Sequence, residues 1–257
     1  AGIIIVPIAT GIVYFGPPLI FLFFLGTVLL VAVFEYFKMI DRIGVSGFPI
    51  LGMALSLLLL LSFYFGGDYV LLWGFIGSIT LFGAWFLQED NVKIAIDQIA
   101  YSLFGVIYIS GLGGYFLLIR KLETGETLIL FLFLIVWLGD IAAYYCGKNF
   151  GKKPLSTSVS PNKTIEGSIA GLLGSISAGV VCGVWFLDHL MIGHCLLVAL
   201  ICGITGQFGD LAESLLKRHV GVKDSSNIIP GHGGFLDRID SLLFAGPTFY
   251  CYFKFVL

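Results

Sequence analysis

Residues 126–146, ETLILFLFLIVWLGDIAAYYC, decide the fold. A helix needs about 20 apolar residues to cross a hydrocarbon core. This run has that length, with Glu126 at its start and Asp140 as the charge near its end. Comparable runs lie outward from it near 1–15, 18–38, 48–65, 69–87, 95–119, 165–187, 190–214 and 236–256, about nine candidate spans in all. Gly16-Pro17-Pro18 separates the first two, and Gly66-Gly67-Asp68 separates the third from the fourth. The run at 190–214 starts apolar and passes into charge from Asp210 to Arg218, so it reads as one long helix that emerges from the membrane. Open sheets leave unpaired edges in lipid, and these runs are too long and too uniformly apolar for barrel strands. The expectation is an all-α fold, a polytopic membrane helix bundle. It forms one membrane-embedded unit over 1–257, with N-terminal helices at 1–125 and a second half at 126–257 that carries most of the intramembrane polar residues.

Composition agrees. Of the 257 residues, 58% are hydrophobic and only 12% charged, with a mean hydropathy of +1.01. A soluble domain carries roughly 25% charged residues, and half that supply cannot cover a water-exposed surface. The net charge of −2 offers nothing to a nucleic acid, so no such partner is expected. Cys146, Cys182, Cys195, Cys202 and Cys251 have neither CxxC nor metal-ligand spacing and read as small apolar side chains. No basic leader precedes the first apolar run, so no signal peptide is expected. Gly167/Gly171 and Gly179/Gly183 have the GxxxG spacing that lets helices pack closely; a helix-packed homodimer is also open on this basis.

Lysine and arginine orient the bundle. Segments 38–47, 88–94, 147–164 and 217–235 hold Lys38, Arg42, Lys93, Lys148, Lys152, Lys153, Lys163, Lys217, Arg218 and Lys223, whereas the alternating segments hold only Arg120 and Lys121. The first set is therefore expected in the cytoplasm, with the N-terminus inside and the C-terminus outside.

Three polar constellations fall on that side, and ionisable residues in membrane segments point to function by default. In the first, Trp137-Leu-Gly-Asp140-Ile-Ala-Ala-Tyr144-Tyr-Cys-Gly147, Asp140 and Tyr144 share a helix face; Asp140 alone also fits a structural partner of a lysine or a backbone group. The second is Ser160-Pro161-Asn162-Lys163-Thr164-Ile-Glu166-Gly167, which follows Lys148, Lys152 and Lys153. Ser160 is expected to cap a helix with Pro161 at its first position, which makes a phosphate site beside Lys163 and Thr164; an ordinary positive-inside loop is the alternative. In the third, two helices meet at a Gly- and Ser-rich loop. Asp210, Glu213 and Lys217 share one face, Asp237 and Asp240 share another, and the loop brings Lys223, Asp224 and His232. Carboxylates converging from two helices suit a hard divalent cation. Lys217, Arg218, Lys223 and Arg238 can balance a triphosphate, so the array points to phosphoryl or nucleotidyl transfer.

The string Ser214-x-Leu216-Lys217-Arg218-x4-Lys223-Asp224-x-Ser226-x2-Ile229-Pro230-x-His232-Gly233-Gly234-Phe235-x-Asp237-Arg238-Ile239-Asp240 resembles the signature of the CDP-diacylglycerol synthases, or phosphatidate cytidylyltransferases. Asp210, the SPxKTxEG element at 160–167 and the DxxAYxxG element at 140–147 match as well. The N-terminal half resembles the family only in its hydropathy and in Glu35 at a helix end. The resemblance implies that CTP and phosphatidate give CDP-diacylglycerol and pyrophosphate, in phospholipid biosynthesis. Mg²⁺ is implied as cofactor, and so many carboxylates leave room for a second cation. The implied metal ligands are Asp210 and Asp237, with Asp240 and Glu213 in or near the coordination shell. Lys217, Arg238 and His232 join Asp210, Asp237 and Asp240 as catalytic residues. Ser160, Asn162, Lys163, Thr164, Arg218, Lys223, Gly233, Gly234, Asp140 and Tyr144 are implied to bind substrate. The implied partners are CTP, phosphatidate and membrane lipid, at a cytoplasmic (inner) membrane with the active site facing the cytoplasm. Two other readings stay open: a related CTP-dependent enzyme acting on another lipid phosphate or a polyprenol, and an ion-coupled transporter. Transporter sites, however, lie near the midplane between repeats, and this sequence carries no second copy of the motif.

Overall fold

The computed structural model describes residues 2–45, 47–66, 70–88, 92–188, 190–226, 228 and 233–257. Every expected apolar run is helical among them. The chain divides into two compact units, residues 1–121 with 219–238, and residues 122–218 with 239–257.

The first unit contains α1 (Gly2–Phe15), α2 (Pro18–Ile40), α3 (Pro49–Tyr64), α4 (Val70–Gln88), α5 (Val92–Gly105) and α6 (Tyr115–Ile119), with a π-helical segment, Val106–Gly111, between the last two. Pro18 and Pro49 open α2 and α3 at the first helical turn, where a missing N–H costs nothing. Tyr36, Phe21, Leu29, Met39, Leu60 and Ile109 fill the interior. The Tyr36 hydroxyl donates to the Tyr101 carbonyl at 2.9 Å, and the Arg120 guanidinium donates to the Gly16 carbonyl at 2.9 Å.

The second unit is built on α7 (Gly125–Phe150), α8 (Ile165–Trp185), α9 (Ile192–His219) and α10 (Leu236–Phe255). The α7–α8 pair is intimate because of its glycines. A Cβ on Gly167 would stand 2.9 Å from the Ala143 carbonyl oxygen, and one on Gly174 would stand 2.5 Å from the Leu138 carbonyl oxygen. Gly179 faces α9 in the same manner, 2.8 Å from the Cys195 carbonyl oxygen. The glycine pairs therefore serve packing inside the unit, as their spacing suggests.

Five of the helical stretches are long and apolar enough to span a membrane among the described residues: Pro18–Ile43, Val92–Ile119, Gly125–Phe150, Ile165–Trp185 and Ile192–His219. Three apolar helices are shorter, and α10 begins with charge. Phe15, Ile50 and Trp185 are 82%, 85% and 72% exposed, a surface that lipid, not water, tolerates. The chain is an all-α integral membrane protein.

One local expectation is corrected. Ser160 does not cap a helix. Residues Ser160–Thr164 form a strand, β2, paired antiparallel with β1 (Pro154–Ser156). Pro161 has no N–H to give and is at home in so short an edge strand. The helix starts four residues later, where the Thr164 hydroxyl accepts the Gly167 N–H at 3.1 Å. The Glu166 carboxylate turns back to accept the N–H groups of Lys152 and Lys153 at 3.0 and 3.3 Å, tying the base of the hairpin to the start of α8.

Candidate active site

In the second unit, the hairpin, the C-terminal part of α7, the first turn of α8 and the middle of α9 line a cavity of about 510 Å³. α7 gives it Asp140, Tyr144 and Lys148; β2 gives Ser160, Asn162, Lys163 and Thr164; α8 gives Ser168; α9 gives Gln207 and Asp210. Seven predicted site residues, Asp140, Tyr144, Ser160, Asn162, Lys163, Thr164 and Asp210, thus line one space. Helical spacing explains the α7 and α9 contributions, since Asp140 and Tyr144, like Gln207 and Asp210, lie one turn apart. The Lys163 ammonium pairs with the Asp210 carboxylate, each side chain about one third exposed. Opposite charges therefore share the cavity wall, with the Lys163 ammonium itself covered.

Below Asp210 the unit concentrates negative charge. Asp240 interacts electrostatically with Asp210, Glu213 and Asp140. Gly209 makes this approach possible: a Cβ there would stand 2.5 Å from the Asp240 carbonyl oxygen, so α9 and α10 touch backbone to backbone beside Asp210. Glu213 is fully buried and pairs with Lys217 one turn on. Burying an ion is costly unless it is partnered, so Lys217 neutralises a protein carboxylate here. Arg218 donates from Nε to the Val159 carbonyl at 3.2 Å, which anchors the hairpin.

The remaining predicted residues belong to the first unit. Lys223 and Arg238 are exposed. Gly233 has φ +77, a conformation that favours glycine. Asp237, in the first turn of α10, accepts three hydrogen bonds on one oxygen. Oδ2 takes the Ser225 N–H at 2.9 Å, the Ser225 hydroxyl at 2.7 Å and the Gly234 N–H at 2.8 Å. The carboxylate is thereby held in place by the loop. His232 lies outside the described residues.

The donor set is hard oxygen throughout, which fits Mg²⁺. Among the described residues no three His, Cys, Asp or Glu side chains are gathered tightly enough to hold a metal by themselves. Sequence reading missed Gln207 and Ser168 as cavity residues. The Gln207 amide donates to the Ser168 carbonyl at 3.0 Å. The available signal was Gln207 one turn before Asp210 on an otherwise apolar helix.

The Cytidylyltransferase family profile matches residues 1–256. A phosphatidate cytidylyltransferase of Staphylococcus epidermidis is 38% identical over 232 residues, covering 89% of this chain and 88% of its own. That of Staphylococcus haemolyticus is 40% identical over 214 residues, covering 82% and 80%. That of Bacillus subtilis is 38% identical over 178 residues, covering 67% and 66%. With a lipid-facing helical body, a cavity joining Lys163 to Asp210, and a family match that runs nearly end to end, the chain belongs to the cytidylyltransferase family.

Proposed function

We propose that this chain is a phosphatidate cytidylyltransferase that converts CTP and phosphatidate to CDP-diacylglycerol and pyrophosphate. The cavity carries the reading. Lys163, Thr164 and Asp210 line one cavity, which supports a site where a water-soluble nucleotide meets a lipid phosphate. A phosphatidate oxygen attacks the α-phosphorus of CTP. A new P–O bond forms, the bond from the α-phosphorus to the bridging oxygen breaks, and its electrons leave with pyrophosphate.

Phosphatidate is already anionic at neutral pH, so no strong base is needed. The barrier lies in bringing anions together and in the charge of the leaving group. Lys163, Lys148 and Arg238 are assigned to offset that repulsion, and the hydroxyls and amides of Ser160, Asn162, Thr164 and Gln207 to orient phosphates. Asp210 and Asp237 are assigned to hold Mg²⁺, with Asp240 and Glu213 in or near its coordination shell; such an ion would supply neutralisation of triphosphate and pyrophosphate charge. The lysine-rich segments and the cytosolic origin of CTP support an active site facing the cytoplasm. Gly167, Gly174 and Gly179 are occupied within the unit, so a homodimer needs another surface.

The test is product analysis. The purified protein in detergent, given CTP, phosphatidate and Mg²⁺, should yield CDP-diacylglycerol by mass spectrometry with one pyrophosphate per product. Product only with an ether-lipid phosphate, or CTP-dependent phosphorylation of a polyprenol, overturns the acceptor assignment; no CTP consumption with any lipid overturns the reading.

A further inference from the structure

Glu35 sits in α2 between Val33-Phe34 and Tyr36-Phe37, and it is 0% exposed. A carboxylate in such a place costs several kcal/mol unless it is hydrogen-bonded. Its donors come from the far end of the sequence. Oε1 accepts the Ser226 hydroxyl at 2.6 Å and the Phe235 N–H at 3.0 Å. Oε2 accepts the Leu236 N–H at 2.9 Å, with the Ser225 hydroxyl at 3.3 Å. A hydroxyl has one proton to give. The Ser225 hydroxyl stands nearer to Asp237, so its proton goes there, and Ser226, Phe235 and Leu236 hold Glu35.

The reason for this arrangement lies in α10. A helix leaves its first N–H groups without intrahelical partners, and Ser, Thr, Asp or Asn normally supplies the missing acceptor. The residue before Leu236 is Phe235, which has no acceptor to offer. Glu35 fills the position from another helix, and its negative charge faces the positive end of the α10 dipole. Gly234 makes room. A Cβ there would stand 2.5 and 2.6 Å from the Glu35 oxygens and 2.1 Å from the Ser225 hydroxyl. The second glycine of the HGG element thus keeps open the space that Glu35 occupies.

We propose that Glu35 is the positioning residue of the signature loop: a helix cap supplied in trans that fixes Ser226 and the first turn of α10, and through them the orientation of Asp237. The proposal rests on the cytidylyltransferase reading for its kinetic consequences and on geometry alone for the clamp.

The experiment compares the full chain with Glu35→Gln and Ser226→Ala. Two quantities are read: amide exchange of the peptide spanning 233–238, and the Mg²⁺ concentration that gives half-maximal turnover. In Glu35→Gln, exchange of that peptide should quicken at least about tenfold, while peptides of α7 and α8 stay as in wild type. The half-activating Mg²⁺ concentration should rise at least about threefold and kcat should fall at least about tenfold, with KM for CTP within about threefold. Ser226→Ala, which removes one donor and leaves the carboxylate, should move the same quantities less. A merely structural role lowers the yield of folded protein and leaves the exchange pattern and Mg²⁺ midpoint of the surviving protein unchanged. Unchanged values in Glu35→Gln, or in Ser226→Ala where Glu35→Gln does not fold, overturn the proposal. If wild type shows no CTP-dependent turnover, the functional reading fails, and the exchange comparison alone decides the clamp.

Discussion

Lys163→Ala separates a substrate contact from a structural one. Lys163 and Asp210 form an ion pair with each side chain about one third exposed. Pairs of that exposure contribute about 0–1 kcal/mol to stability, so the melting temperature should fall by only a few degrees. The kinetic cost should be larger. A full charge about 4 Å from a substrate phosphate, at the effective dielectric of a protein surface, interacts by about 4 kcal/mol. Solvent access to the cavity and the competing pull of Asp210 reduce this to roughly 1.5–2 kcal/mol of transition-state stabilisation, about 10- to 30-fold in kcat/KM. The assay is pyrophosphate release at limiting CTP in detergent, normalised to monodisperse protein. Lys121, an exposed lysine of the other unit, whose ammonium donates to the Tyr64 carbonyl, is the control; Lys121→Ala should stay within about twofold. If the two variants lose activity equally, or Lys163→Ala loses it only in proportion to lost folded protein, Lys163 does not contact substrate.

Three further outcomes follow from the same geometry. Asp210→Asn and Asp237→Asn should each reduce turnover to background while the protein folds and extracts normally; an Asn oxygen at 237 can still accept from the Gly234 N–H, so the loop should persist where activity does not. Near-normal turnover at ordinary Mg²⁺ refutes the ligand assignment at that position. Lys152→Cys, on an exposed turn before the hairpin, should be shielded from an impermeant thiol reagent in intact cells lacking the native cysteines; labelling there reverses the orientation, and Ser225, being buried, is a poor place for this probe. Gly174→Leu should destabilise by about 1–3 kcal/mol or more through the clash with α7, read as a lowered melting temperature in detergent, and an unchanged value would mean that α7 and α8 separate freely.

The helical runs were legible because lipid imposes a length and a composition on each, and α2, α3 and α7 begin within a residue or so of where their apolar runs begin. The α9 helix continuing past Asp210 was legible too, because its charges keep helical spacing. The hairpin at 154–164 was not. Ser160-Pro161 carries a valid helix-start pattern, and only the bonds from Lys152 and Lys153 to Glu166, more than ten residues apart in sequence, move the start to Thr164. Of the site, the charged residues were legible one by one. The burial of Glu213 against Lys217 and the use of Arg218 on the hairpin were not, because a partner in space leaves no mark in local spacing. Glu35 stood out as an acid in an apolar run, with nothing nearby in sequence to say what it meets.

The cap of α10 comes from a residue 200 positions earlier in the chain, and this bears on how the protein is made. At a synthesis rate of about 5–20 residues per second, Glu35 waits roughly 10 to 40 seconds after it leaves the ribosome before its acceptor role can be filled. During that time α2 must sit with a carboxylate that no native donor satisfies. The first unit stays incomplete until residues 219–238 arrive. Any chain that stalls before the signature loop therefore leaves Glu35 without the donors that Ser226, Phe235 and Leu236 supply.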